Sequence, residues 1–222
     1  MKRRPADKSA AAALVFAAAT MANVARRSLL LPLPLFALFS GCTQPKAPDV
    51  FRVLFDTTKG PFVIEAHRAW SPLGTDRFYD LVQQRFFDGD RFFRVLPNFV
   101  VQFGINGDPV VTRKWEAAKI DDDPVQQSNL RGYLSFATGG PLTRTTQIFI
   151  NVADNARLDK VGFSPFGRVV SGMDVVGRLY SEYGEGAPRG KGPDQKRIEG
   201  EGNSYLEKEF PKLDYIKTAR VA

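Results

Sequence analysis

Arg94 stands in the apolar run Phe92-Phe93-Arg94-Val95-Leu96, and Gln102 follows in Phe99-Val100-Val101-Gln102-Phe103. A guanidinium carries several donors in a rigid planar fork and stays charged, and an amide supplies both a donor and an acceptor. Read alone, an arginine in an apolar strand is more often a solvated strand residue than a functional group. Other chemistries are short of residues. His67 is the single histidine and Cys42 the single cysteine, which leaves no room for an intrachain disulfide or a cysteine cluster and almost none for a Ser-His-Asp triad or a multi-histidine metal site. His67 closes an alternating segment and reads as structural or exposed. Asp121-Asp122-Asp123-Pro124 reads as a solvated acidic turn, since no further ligands converge on it. The Gly-rich stretch at 184–194 lacks the GK[ST] ending of a phosphate loop.

The elements that must position these residues are mostly strands. Phe51, Val53 and Phe55 alternate, as do Phe62, Ile64 and Ala66 across the turn Thr58-Lys59-Gly60, so the region opens with a hairpin. Ser71-Pro72 is a helix start, with Ser suited to the cap and Pro to the first turn, and Phe78, Leu81, Val82 and Phe86 follow at helical spacing. Strands are expected over 91–95 and 99–104 around Pro97-Asn98, then a long polar loop over 105–131. Further strands are expected over 132–137, 147–152, 166–170 and 213–221, with helical segments over 172–180 and 203–210. This makes about eight strands and two main helices, a pattern that suggests an antiparallel barrel. No internal repeat is visible.

Charge is distributed unevenly. The chain has 222 residues and a formal charge of +7, but residues 1–41 hold six basic residues against one acidic, leaving 25 against 23 in the rest. A basic stripe for nucleic acid therefore has little support, and no nucleic-acid partner is expected. Arg26-Arg27, the apolar run 28–39 and Ser40-Gly41-Cys42 have the order of an export signal. The run is too short for a comfortable membrane span and is interrupted by two prolines. Phe39-Ser40-Gly41-Cys42 resembles a bacterial lipobox, with Phe39 in place of the usual Leu, which makes Cys42 a candidate lipidation site; the other reading is a plain cleaved signal. The expected organisation is a signal at 1–41, with Met21 as an alternative start, a tether at 42–49, and one domain over 50–222 carrying an insertion at about 183–210. The protein is expected to be exported, membrane-anchored and monomeric.

Three blocks resemble the cyclophilin-type peptidyl-prolyl cis–trans isomerases. FFRVLPNFVVQFGINGD at 92–108 is similar to the family's F-[HF]-R-V-hydrophobic-P-x-F core with its Q-x-G segment. RGYLSFATGGPLTRTTQIFINVADNARLD at 131–159 resembles its RG-x-hydrophobic-S-hydrophobic-A, S/T-Q-x-F-I and LD elements, and PFGRVVSGMDVV at 165–176 its VFG-x-V-x-G-M-D-V-V. The resemblance implies a mainly β fold, an eight-stranded antiparallel barrel capped by two helices, here with a C-terminal loop and helix insertion. It implies rotation about X-Pro bonds with no metal and no cofactor, on proline-containing polypeptides as partners. It makes Arg94 the catalytic arginine and Gln102 its helper. Phe99, Val100, Phe149 and Leu158 become the apolar pocket for the proline ring, Ala137, Thr138 and Gly139 the backbone along which the peptide lies, and Gln147 a polar neighbour of the groove. Phe163 aligns where a histidine often closes the pocket.

There are departures. Phe103 stands where the family usually has Gly, and Arg157 stands where many members have a Trp that helps bind cyclosporin, so weak cyclosporin binding is implied. The X-Pro barrier is about 18–20 kcal/mol. Its twisted transition state frees the nitrogen lone pair, so a donor to that nitrogen and a grip on the ring suffice. A non-catalytic proline-binding chaperone or scaffold is the second reading; retention of Arg94, Gln102, Phe99 and Phe149 favours catalysis.

Overall fold

The computed structural model describes residues 46–222. Cys42, the expected export signal and the first half of the expected tether, residues 42–45, lie outside the described residues. Eight strands form one antiparallel sheet: β1 (Val50–Thr57), β2 (Gly60–His67), β3 (Arg94–Val95), β4 (Val100–Phe103), β5 (Tyr133–Phe136), β6 (Ile148–Asn151), β7 (Pro165–Ser171) and β8 (Ile216–Val221). Their order in the sheet is β3-β4-β6-β5-β7-β2-β1-β8. The two edges meet through one isolated bridge, Arg91 with Tyr215, flanked by Phe92 N–H on Asp214 O at 3.0 Å and Ile216 N–H on Asp90 O at 2.9 Å. The curled sheet is therefore a half-barrel whose edges touch at a short seam, where a closed barrel would carry a full ladder.

The interior is aromatic. Phe55 stacks on Phe62 with centroids 5.0 Å apart, and Phe78, Phe87, Phe92, Phe103 and Phe166 complete a fully buried cluster. Rings of this size bury much apolar surface with few side-chain torsions to fix. The two expected caps are present. Helix α1 (Pro72–Gln83) sends Phe78, Leu81 and Val82 into this core, and α3 (Met173–Gly177) sends Val175 and Val176.

Several expectations need correction. The span 105–131 is not wholly loop: it contains α2 (Pro109–Glu116), whose Asp108 side chain caps Val110 N–H at 2.8 Å and whose Trp115 reaches the core. The 183–210 insertion contains two helices, α4 (Gln195–Glu201) and α5 (Asn203–Glu209), where only the second was expected, and the helix over 172–180 ends early at Gly177. These short helices owe their existence to packing. Ile198, Tyr205, Leu206 and Phe210 form a second small core with Phe93, Ile105 and Leu213.

The α1 cap is also different. Ser71 makes no side-chain capping bond. Its hydroxyl donates to Asp123 Oδ2 at 2.5 Å, and the Asp123 carboxylate accepts Leu73 N–H at 3.1 Å and Gly74 N–H at 2.9 Å. Asp123 is buried beside Arg144, so this part of the acidic run is a buried cap and not a solvated turn.

Asp90 is a second buried carboxyl. Its Oδ2 accepts Gly104 N–H at 2.7 Å while Oδ1 has no partner, and burial pushes its pKa well above the ordinary value. A carboxyl raised in the folded state binds its proton more tightly there than in the unfolded chain. Its contribution to stability is greatest below the ordinary carboxylate range and is lost as pH rises toward the raised value. Asp90→Asn keeps an acceptor for Gly104 and cannot ionise. Thermal melts are expected to show this variant gaining on wild type as pH rises from about 4 to about 8, by on the order of 1–3 kcal/mol; a gap that shrinks with pH would contradict the assignment.

Candidate active site

Strand alternation builds the site. In β4, Val101 and Phe103 turn into the barrel core while Val100 and Gln102 line an open groove. In β6, Ile148 and Ile150 enter the core while Phe149 faces the groove, next to Gln147 just before the strand. Phe103, the departure from the family pattern, is thus fully buried among Phe55, Phe87 and Phe92 and leaves the groove clear. Register places Arg94 opposite Gln102, and Gln102 opposite Phe149. After β4, Gly104 has φ 104°, and a Cβ there would lie 2.4 Å from Thr146 O. That close approach, open only to glycine, brings 145–147 against β4 and lets Gln147 meet Gln102.

The result is a polar chain above an apolar floor. Arg94 Nη1 donates to Gln102 Oε1 at 3.1 Å, and Gln102 Nε2 donates to Gln147 Oε1 at 2.8 Å. The Arg94 guanidinium lies 5.7 Å from the centroid of the Phe99 ring, and Arg157 lies 4.8 Å from the same ring. Phe163 meets Phe149 edge-on at 5.4 Å. Leu158 arrives on a 3-10 turn, Ala156–Val161, anchored by Asp159, which accepts Ser128 Oγ at 2.6 Å and Asn129 N–H at 2.9 Å. All ten residues expected at the site (Arg94, Phe99, Val100, Gln102, Ala137, Thr138, Gly139, Gln147, Phe149 and Leu158) line one groove of about 540 Å3, within the range of small-ligand sites.

The stretch 137–139, expected to pair with a peptide, already has part of its backbone engaged. Ala137 N–H already donates to Gln147 O at 2.8 Å, and Gly139 N–H to Thr143 Oγ1 at 3.0 Å. Thr138 Oγ1 is 2.8 Å from the same Thr143 hydroxyl and donates to Gly140 O. Thr143, Thr145 and three residues of the insertion, Glu185, Arg189 and Gln195, also line the groove and were not anticipated. The most consequential is Glu185. Its carboxylate takes Arg94 Nε and Nη2 at 2.8 Å each, and the guanidinium holds the Glu185 carboxyl below the ordinary carboxylate value, against the opposing effect of burial.

Among the described residues no group of three or more His, Cys, Asp and Glu could hold a metal, and no helix is long and apolar enough to cross a membrane. His67 pairs with Glu65 Oε1 at 3.0 Å, stacks on Trp70 with centroids 4.0 Å apart, and does not line the groove.

The sequence model of the family "Cyclophilin type peptidyl-prolyl cis-trans isomerase/CLD" matches residues 52–199. The chain belongs to this family. It is a cyclophilin-type peptidyl-prolyl cis–trans isomerase, and its eight antiparallel strands have the cyclophilin fold. It is 36% identical over 129 residues to a peptidyl-prolyl cis-trans isomerase of Acinetobacter baylyi, covering 55% of this chain and 68% of the relative. It is also 36% identical over 135 residues to one of Schizosaccharomyces pombe, covering 57% and 83%. A crystal structure of a Cryptosporidium parvum cyclophilin-type isomerase superposes with a TM-score of 0.58 at 21% identity, covering 78% of this chain and 98% of that one. A second structure of that protein, obtained in the presence of the dipeptide Ala-Pro, gives 0.56 at 20% identity, covering 77% and 98%.

Proposed function

We propose that this cyclophilin rotates X-Pro bonds in exported polypeptides while they fold, from a position tethered at a membrane. The observation that carries the catalytic part is the Arg94 guanidinium at the rim of an apolar groove, hydrogen-bonded to Gln102 and set over Phe99. Phe99, Val100, Phe149 and Leu158 grip the proline ring, with Phe163 closing that end. Arg94 donates to the nitrogen as the bond twists and its lone pair localises, which lowers the barrier without a nucleophile or a proton transfer. Gln102, fixed between Arg94 and Gln147, keeps the guanidinium in register and faces the substrate carbonyl. The strand-like stretch Ala137, Thr138 and Gly139 pairs with the peptide backbone, chiefly through Thr138, whose neighbours' N–H groups are already engaged. No metal or cofactor enters this chemistry. The test is cis-to-trans exchange of an Ala-Pro peptide by the full chain. A folded protein that binds the peptide without accelerating exchange would instead make this a proline-binding chaperone or scaffold.

The location rests on the leader: Arg26-Arg27, the apolar run 28–39 and Cys42. Diacylation of Cys42 supplies more than one chain, which stable anchoring requires. In a bacterial host, Cys42→Ser is expected to move the protein from the membrane fraction to the soluble envelope fraction. Unchanged partition would leave a plain cleaved signal with Cys42 as a bystander.

A further inference from the structure

Glu185 is the feature that neither the family's motifs nor the strand pattern points to. It reaches Arg94 from 91 residues away in sequence and engages it at two points, Nε to Oε1 and Nη2 to Oε2, both at 2.8 Å. The pair is mostly buried, with the Arg94 side chain 17% and the Glu185 side chain 29% exposed. Two-point clasping of a guanidinium fixes its plane as well as its place.

The carboxylate is itself held. Glu185 Oε1 accepts Gly186 N–H at 3.0 Å, and Glu185 O accepts Gly192 N–H at 2.8 Å across the neck of the 185–192 loop, where Gly186 and Gly192 form a bridge. A Cβ on Gly190 or Gly192 would lie 2.1 Å or 2.9 Å from Glu185 O, so this closure needs glycine at both places. Tyr183, just before the loop, packs on the second small core through Phe210, with centroids 5.0 Å apart. The other side of that core is Phe93, the residue next to Arg94. The insertion thus grips the chain at two adjacent positions where β3 begins, Phe93 just before it by apolar contact and Arg94 within it by the ion pair.

We propose that Glu185 is a positioning residue for the isomerase reaction: it holds the Nε–Nη2 edge of Arg94 so that the remaining Nη hydrogens are fixed toward the X-Pro nitrogen. This rests on the catalytic reading of Arg94 given above. A guanidinium has five N–H donors. Glu185 uses two and Gln102 one, which leaves one on Nη1 and one on Nη2 for substrate. X-Pro rotation develops a lone pair rather than a net charge, so the reaction needs a well-aimed donor more than an unneutralised cation. A carboxylate that spends two donors to aim the other two fits that need.

The experiment measures kcat and KM separately for an Ala-Pro peptide, by exchange NMR on the full-length protein, for wild type, Glu185→Ala, Glu185→Gln, Arg94→Lys and the double variant Arg94→Lys/Glu185→Ala. Glu185→Ala is expected to lower kcat about 10-fold or more, with KM within about twofold and a melting temperature within a few degrees of wild type. Glu185→Gln, which keeps one acceptor, should fall between. In the Arg94→Lys background, where no fork remains to clasp, Glu185→Ala should add little. A rise in kcat on removing the carboxylate would overturn the proposal and make Glu185 a competitor for Arg94. Unchanged kcat, or losses that simply multiply in the double variant, would overturn it too. A wild type that does not catalyse exchange would instead defeat the underlying reading, so the two failures are distinct.

Discussion

Arg94→Ala is expected to cut kcat/KM for an Ala-Pro peptide by about 10²–10³-fold, the cost of deleting one well-placed donor to a developing lone pair, or roughly 2.7–4 kcal/mol. The fold should survive, because Glu185, the main partner Arg94 leaves behind, reaches water. Glu185 is 29% exposed and can be hydrated, and Gln102 keeps its bond to Gln147 at 2.8 Å. Loss of a partly exposed pair of this kind typically costs no more than about 1 kcal/mol. Circular dichroism spectra should superimpose, and melting temperatures should differ by only a few degrees. Arg94→Lys should fall between wild type and alanine, since an ammonium keeps the charge but loses the planar fork. An alanine variant that is folded and retains most of its rate would remove Arg94 from the mechanism and shift the catalytic role to the apolar grip alone.

The parts of this site that could be read from sequence are those written into a strand period. Val100 with Gln102, and Gln147 with Phe149, share faces because side chains alternate along a strand, and the opposite face, Val101 with Phe103 and Ile148 with Ile150, is core. The turn at Pro97-Asn98 was equally legible, and Asn98 takes φ 61°, a conformation asparagine tolerates. What escaped is tertiary. Helix α2 carries an Asp-Pro start that can be seen in the sequence, yet it buries only Thr112 and Trp115, too thin an apolar stripe to announce itself in a polar stretch. Helix α4 buries Ile198 alone. The partners of the two key arginines, Glu185 for Arg94 and Asp123 for Arg144, come from loops whose composition suggested solvent. One signal was available for both: an arginine set within or near an apolar strand needs a counter-charge if it is buried. Sequence alone does not say which acidic residue answers it.

Asp123 is where that rule carries the largest stability effect. The carboxylate performs two tasks in one buried place: it caps the N-terminus of α1 through Leu73 N–H, Gly74 N–H and the Ser71 hydroxyl, and it faces Arg144 Nη1 and Nη2 at 3.2 Å each. Both side chains of the ion pair are 4% exposed. The alternatives open to Arg144 are few. Its Nη2 also donates to Asp121 O, and its Nε lies 3.1 Å from Asp122 Oδ1 but without hydrogen-bond geometry. Asp123→Ala therefore leaves a buried guanidinium with Asp122, outside hydrogen-bond geometry, as its remaining counter-charge, and uncaps a helix at once. The expected loss is about 3–5 kcal/mol, or a fall in melting temperature of roughly 10 °C or more for a chain of this size. Asp123→Asn should cost less, because the amide oxygen still accepts from the helix N-terminus. The two tasks separate in the double variant Asp123→Ala/Arg144→Met. Removing the poorly compensated cation should recover part of the loss, since a buried charge without a well-placed partner is worse than an apolar side chain of similar length. The uncapped helix end, worth about 1 kcal/mol, should remain as the residue of the damage. If the double variant melted lower than Asp123→Ala, Arg144 would be stabilising through Asp121 and Asp122 alone, and the cap would be the main role of Asp123.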